Sequence, residues 1–136
     1  MKSKSVLLLS VAMLVPVVLG GCPLLQRGET VFWDITFNTM NATRFVGDHL
    51  VVALPSNGST GYSWQVTTID TSMLELVQQQ SLATGTSDLP GSGSMSVFEF
   101  LVTGKGSSTL VLDSVRAGDP PGTPPAQTFS MSFLVE

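Results

Sequence analysis

The sequence predicts an all-β domain of about seven short strands, folded as a sandwich or a barrel. Three observations predict it. Beyond Glu29, apolar residues recur at every second position and not at every third or fourth. The alternating runs are short and bounded by clusters of Gly, Pro, Ser, Asn and Asp. No segment after residue 28 carries the sustained apolar stripe of an amphipathic helix; residues 71–80 come nearest, and the Leu74/Leu76 spacing suits a strand better.

The strands follow in order. Val31, Trp33, Ile35 and Phe37 alternate with more polar neighbours and are expected as one strand. Leu50, Val52 and Leu54 form the second, stopped by Pro55, and Tyr62, Trp64 and Val66 the third. Leu74 and Leu76 mark the fourth, and Phe98, Phe100 and Val102 the fifth. Gly104-Lys105-Gly106 then reads as a hairpin turn, with Leu110 and Leu112 beyond it. Phe129, Met131, Phe133 and Val135 close the chain. Gly91-Ser92-Gly93-Ser94 and 119–125 are biased in composition but short enough to be loops. No internal repeat is visible, and the length suits one domain.

The first twenty-two residues have a different character. Lys2 and Lys4 precede an apolar run over 6–19, broken only by Ser10 and Pro16. Those 14 residues fit a signal peptide and fall short of the roughly 20 that a spanning helix needs. Leu19-Gly20-Gly21-Cys22 follows and resembles the lipobox of bacterial lipoproteins, in which the signal is cut before the Cys and that residue is then acylated, palmitate included. Acyl chains contributing ~0.8 kcal/mol per buried methylene would hold such a protein on a bilayer. The expected organisation is a lipoprotein signal over 1–21, a lipidated Cys22 and tether over 22–28, and a β domain over 29–136. The expected place is the cell envelope, with the outer membrane favoured because Pro23, not Asp, follows the Cys, and with the domain facing periplasm or exterior.

Charge and composition exclude several chemistries. The chain has 6 Lys and Arg against 10 Asp and Glu, and loss of Lys2 and Lys4 leaves four against ten, a net −6. That balance argues against nucleic acid. One His and one Cys do not make a transition-metal site or an internal disulfide, so neither metal nor cofactor is expected. The Gly104-Lys105-Gly106 segment is no phosphate loop, since Glu99 stands where the first Gly belongs and Gly106 where Ser or Thr must hold the metal. His49 and Ser63 lack a catalytic setting, and His49 is expected as a strand-edge residue in solvent. An enzyme is not expected.

The most specific stretch is Leu54-Pro55-Ser56-Asn57-Gly58-Ser59-Thr60-Gly61-Tyr62-Ser63-Trp64. It resembles the signature of the chagasin-like inhibitors of papain-type cysteine peptidases, in which Asn-Pro-Thr-Thr-Gly-Tyr is followed by x-Trp. Asn57, Thr60, Gly61, Tyr62 and Trp64 match, Ser59 exchanges one hydroxyl for another, and Gly58 replaces Pro. Pro90-Gly91-Ser92-Gly93-Ser94 ahead of Phe98 and Phe100 corresponds to the family's Gly-rich loop, and Arg116-Ala117-Gly118 after Leu110 and Leu112 corresponds to its Arg-Pro-Trp element. The resemblance implies an immunoglobulin-like antiparallel β-sandwich whose three loops form a wedge for the cleft of a papain-like cysteine peptidase, acting as a monomer. Thr60 and Gly61 would be central and Arg116 peripheral.

Two departures leave an alternative, a non-inhibitory envelope-anchored binding or structural module. Gly58 for Pro frees a backbone angle and should loosen the loop. Ala117-Gly118 for Pro-Trp removes an aromatic anchor whose loss costs on the order of 2 kcal/mol in affinity. Residues 120–125 bring four prolines and no aromatic. The tether over 23–28 spans roughly 20 Å at most. With the first strand expected to begin beside the 57–61 loop, the wedge should lie close to the membrane.

Overall fold

The computed structural model describes residues 28–84 and 93–136. Eight strands form two four-stranded sheets: β1 (Thr30–Asp34), β2 (Asn41–Arg44), β3 (His49–Ser56), β4 (Tyr62–Thr68), β5 (Leu74–Ala83), β6 (Ser94–Val102), β7 (Gly106–Arg116) and β8 (Gln127–Val135). One sheet runs β1-β3-β6-β5 and the other β2-β8-β7-β4. All neighbours are antiparallel except β1 beside β3 and β2 beside β8, which are parallel.

The two-residue period of the sequence produces the core directly. Leu50, Val52 and Leu54 of β3 and Phe98, Phe100 and Val102 of β6 face Leu110 and Leu112 of β7 and Phe129, Met131 and Phe133 of β8 across the sandwich. Trp33 and Trp64 close its flanks, each 2% exposed. Each such side chain contributes about 1.5–3 kcal/mol on burial. Residues of opposite parity, such as Val51 and Ala53, face outward.

The first expected strand is cut short at Asp34. After Asp34 the chain makes a 3-10 turn over Ile35–Phe37, because the Asp34 carboxylate accepts from the Thr36 amide at 2.8 Å and from its hydroxyl. Thr39, with φ of 66°, then redirects the backbone into β2 on the opposite sheet. Asn38 fixes the crossing: its side chain donates to the Thr128 carbonyl at 3.1 Å and accepts from the Ser130 amide at 2.8 Å. The alternation through Ile35 and Phe37 therefore continues across a turn, and β2, which no expected strand covers, is the eighth strand among the described residues where seven are expected.

The Gly104-Lys105-Gly106 segment is also not a hairpin. β6 and β7 belong to different sheets, so it is a corner that carries the chain across the sandwich. Gly104 is required there by close approach: a Cβ would sit 2.3 Å from the Ser72 carbonyl oxygen. His49 reaches solvent as expected, but from an inner strand: β3 lies between β1 and β6, and the His49 Nδ1 is 2.8 Å from Glu99 Oε1.

Pairing registers define two poles. Ser56 ends β3 opposite Ser94, which also pairs with Ala83; Arg116 ends β7 opposite Tyr62; and Gln127 opens β8 opposite Ser114. The connections 57–61, 84–93 and 117–126 therefore leave from one pole. At the other, Thr30 starts beside His49 and Val135 ends beside Gly106. Buried Asp48 ties the start of the domain there, accepting from the Glu29 amide at 3.2 Å and the Phe45 amide at 3.0 Å. The first strand thus begins at the pole opposite the 57–61 loop, not beside it. The reason is its parallel pairing, which sets the start of β1 against the start of β3.

Candidate functional site: the three-loop pole

The 57–61 loop is held by its own side chains. Asn57 is extended, with φ of −136° and ψ of 100°, and its Oδ1 accepts from the Ser59 amide at 3.1 Å and the Ser59 hydroxyl at 2.6 Å. The Asn57 carbonyl accepts from the Thr60 amide at 3.1 Å and the Thr60 hydroxyl at 2.7 Å. These bonds wind Gly58–Thr60 into one 3-10 turn, which Gly61 ends in the left-handed region at φ of 77°. Gly58, by contrast, is not in that region, and a Cβ on it meets nothing within 4 Å. Gly58, Ser59, Thr60 and Gly61 are all exposed.

The base of the loop is rigid. The buried Trp64 indole donates from Nε1 to the Pro55 carbonyl at 2.9 Å, tying β4 back to the end of β3. Ser56 and Ser94 hydroxyls meet at 2.8 Å, linking this loop to the neck of the next. That neck is closed by Thr84, whose amide and hydroxyl both donate to the Gly93 carbonyl, at 3.0 and 2.7 Å. Gly91 and Ser92 lie outside the described residues. On the third side, Arg116 pairs with Tyr62 and lies over Gly61: a Cβ on Gly61 would be 3.5 Å from Arg116 Nε. The 117–126 loop is stiffened by two turns. The Asp119 amide bonds the Arg116 carbonyl across Gly118 at φ of 91°, and the Thr123 amide bonds the Pro120 carbonyl across Gly122 at φ of 88°. The Ala126 amide returns to the Ser114 carbonyl at 2.9 Å and closes the neck.

Asn57, Gly58, Ser59, Thr60, Gly61 and Tyr62 are therefore brought together with Gly93, Arg116, Ala117 and Gly118 at one pole. The bracing contacts of Pro55, Ser56, Ser94 and Thr84 carry no motif of their own. Only the paired serines at loop necks hint at them in the sequence. His49 and Ser63 sit at opposite poles and on different sheets, so they form no dyad. Among the described residues no three His, Cys, Asp or Glu side chains gather at metal-binding range. The pole offers exposed hydroxyls, backbone amides and one guanidinium on a rigid frame, which suits binding a surface and not bond-making.

A two-sheet sandwich with its conformationally braced loops gathered at one end defines the class of immunoglobulin-like binding modules. The family model described as Chagasin family peptidase inhibitor I42 matches residues 45–133, and the chain belongs to that family. Its members are inhibitors, so the chain is not an enzyme. No curated protein sequence matches it. Among solved structures it is similar to the cysteine protease inhibitor EhICP2 from Entamoeba histolytica, at 18% identity and a TM-score of 0.67 over 79% of this chain and 96% of that one. It is similar to amebosin at 23% identity and a TM-score of 0.64, covering 79% and 98%. PbICP-C, solved in complex with falcipain-2, matches at 18% identity and a TM-score of 0.56, covering 80% and 100%.

Proposed function

We propose that this protein inhibits papain-type cysteine peptidases by inserting the 57–61 loop into the active-site cleft, with the 84–93 and 117–126 loops against its two walls. The observation that carries this reading is the convergence of the three loops at one pole, with Thr60 and Gly61 at the exposed tip. The complex of PbICP-C with falcipain-2 supports it from a relative of the same fold. A small hydroxyl and a left-handed Gly let the main chain approach a thiolate–imidazolium pair closely without offering a bond for cleavage. The frame fixes the loop before binding, so little ordering entropy is lost on association. Arg116 beside Gly61 adds a cation at the rim, and the two turns of 117–126 supply stiffness in place of an aromatic anchor.

Cys22 is the proposed lipid anchor, outside the described residues. Because β1 starts at the pole opposite the loops, a tether from Cys22 leaves the wedge pointing away from the membrane and open to a peptidase. The test compares inhibition of papain by the lipidated protein in liposomes with that by a form lacking residues 1–27. Equal potency is expected, and a large loss on liposomes would contradict the geometry. In the same assay Thr60→Arg should abolish inhibition, and unchanged potency would contradict the placement of the loop.

A further inference from the structure

We propose that Asn57 is a site of spontaneous deamidation, by which the loop tip changes from neutral to acidic with age. The chain has three asparagines, and only Asn57 is followed by glycine. Attack requires a main-chain amide nitrogen that is unhindered and not already bonded. Gly58 has no side chain, a Cβ there would meet nothing within 4 Å, and no acceptor among the described residues takes its N–H. The electrophile is held ready. Asn57 Oδ1 accepts two hydrogen bonds, from the Ser59 amide at 3.1 Å and the Ser59 hydroxyl at 2.6 Å, and both donors stabilise the oxyanion that develops when the carboxamide carbon is attacked.

Gly58 N forms a bond to Asn57 Cγ, the Cγ–Nδ2 bond breaks, and Nδ2 leaves as ammonia with the proton lost by Gly58. The resulting five-membered imide is opened by water at either carbonyl, leaving aspartate or isoaspartate at position 57. Closure requires rotation of the Asn57–Gly58 peptide plane, and this displaces the Asn57 carbonyl from the Thr60 amide and hydroxyl. Those two bonds therefore set the pace. The other asparagines serve as internal controls: Asn38 is bonded through both ends of its carboxamide and precedes Thr39, and Asn41 precedes Ala42 in β2.

If the inhibitory reading holds, a new carboxylate and an extra main-chain methylene at the tip lower affinity for the peptidase. The chemistry itself is read by mass, with no peptidase present. The purified full chain is held for several weeks in mildly alkaline buffer at physiological temperature, and peptides are mapped for a one-dalton gain and for isoaspartate. Conversion at Asn57 is expected, with Asn38 and Asn41 unchanged. Gly58→Pro, which has no amide proton, should abolish it, and Thr60→Val should speed it roughly twofold to tenfold by freeing the Asn57 carbonyl. No conversion at Asn57, conversion first at Asn38 or Asn41, or an unaltered rate in Gly58→Pro or Thr60→Val would overturn the proposal.

Discussion

Replacing Gly58 by proline should stabilise the domain. Proline needs four things from its site, and each is met. Its ring fixes φ near the value of a first helical residue, and Gly58 opens the 3-10 turn Gly58–Thr60. It has no N–H, and the Gly58 amide has no acceptor among the described residues to lose. Its Cβ needs room, and a Cβ there meets nothing within 4 Å. The preceding residue must be extended, and Asn57 has φ of −136° and ψ of 100°. The Gly58 carbonyl still accepts from the Gly61 amide. What changes is the unfolded chain, which loses freedom equivalent to about 0.4–1 kcal/mol. For a domain of this size that is roughly 2–8 °C in Tm, read by calorimetry. A Tm lower than that of the parent would refute the reasoning, because it would mean that the Gly58 amide or its backbone angle is needed as it stands.

Other substitutions probe the remaining elements. Gly61→Ala should cost about 1–2 kcal/mol in a urea titration, from left-handed strain alone, since the new methyl meets Arg116 only at ordinary contact distance. Trp64→Phe strands the Pro55 carbonyl and should cost about 1–3 kcal/mol by the same measurement while weakening inhibition. Gly104→Ala drives a methyl into the Ser72 carbonyl and should cost about 1–3 kcal/mol, with no effect on the loop pole beyond destabilisation. The Thr36 hydroxyl and amide hold the Asp34 carboxyl below its ordinary value, and the Ser72 hydroxyl and amide do the same for Asp70. A carboxyl lowered on folding favours the fold above its ordinary value and loses that effect as pH falls through the folded value. In an NMR titration both should titrate below 3.8, and Ser72→Ala should return Asp70 toward it.

The core was legible because every buried strand obeys one rule, the alternation that places Leu50, Val52 and Leu54 on one face and Val51 and Ala53 on the other. Where the chain changes sheet, that rule has no purchase. Ile35 and Phe37 continue the alternation through a turn set by Asp34, and Asn41–Arg44 has too few apolar residues to declare itself a strand. The Gly104 corner has hairpin composition, and what distinguishes it, the placement of β6 and β7 on different sheets, leaves no local mark in the sequence. At the loop pole, Asn57 to Trp64 was readable since each residue has a local task in the turn. Strand direction was not, because β1 could lie either way along β3 with the same apolar pattern, and that choice reversed the expected position of the wedge.

The most direct test of cleft occlusion is binding of the domain to papain in two states, one with an open active site and one with the cleft filled by a covalent peptidyl inhibitor. Surface plasmon resonance reads both. Occlusion of the cleft by the 57–61 loop predicts binding to the open enzyme and none to the filled one. Equal binding to both forms, or to neither, would contradict it.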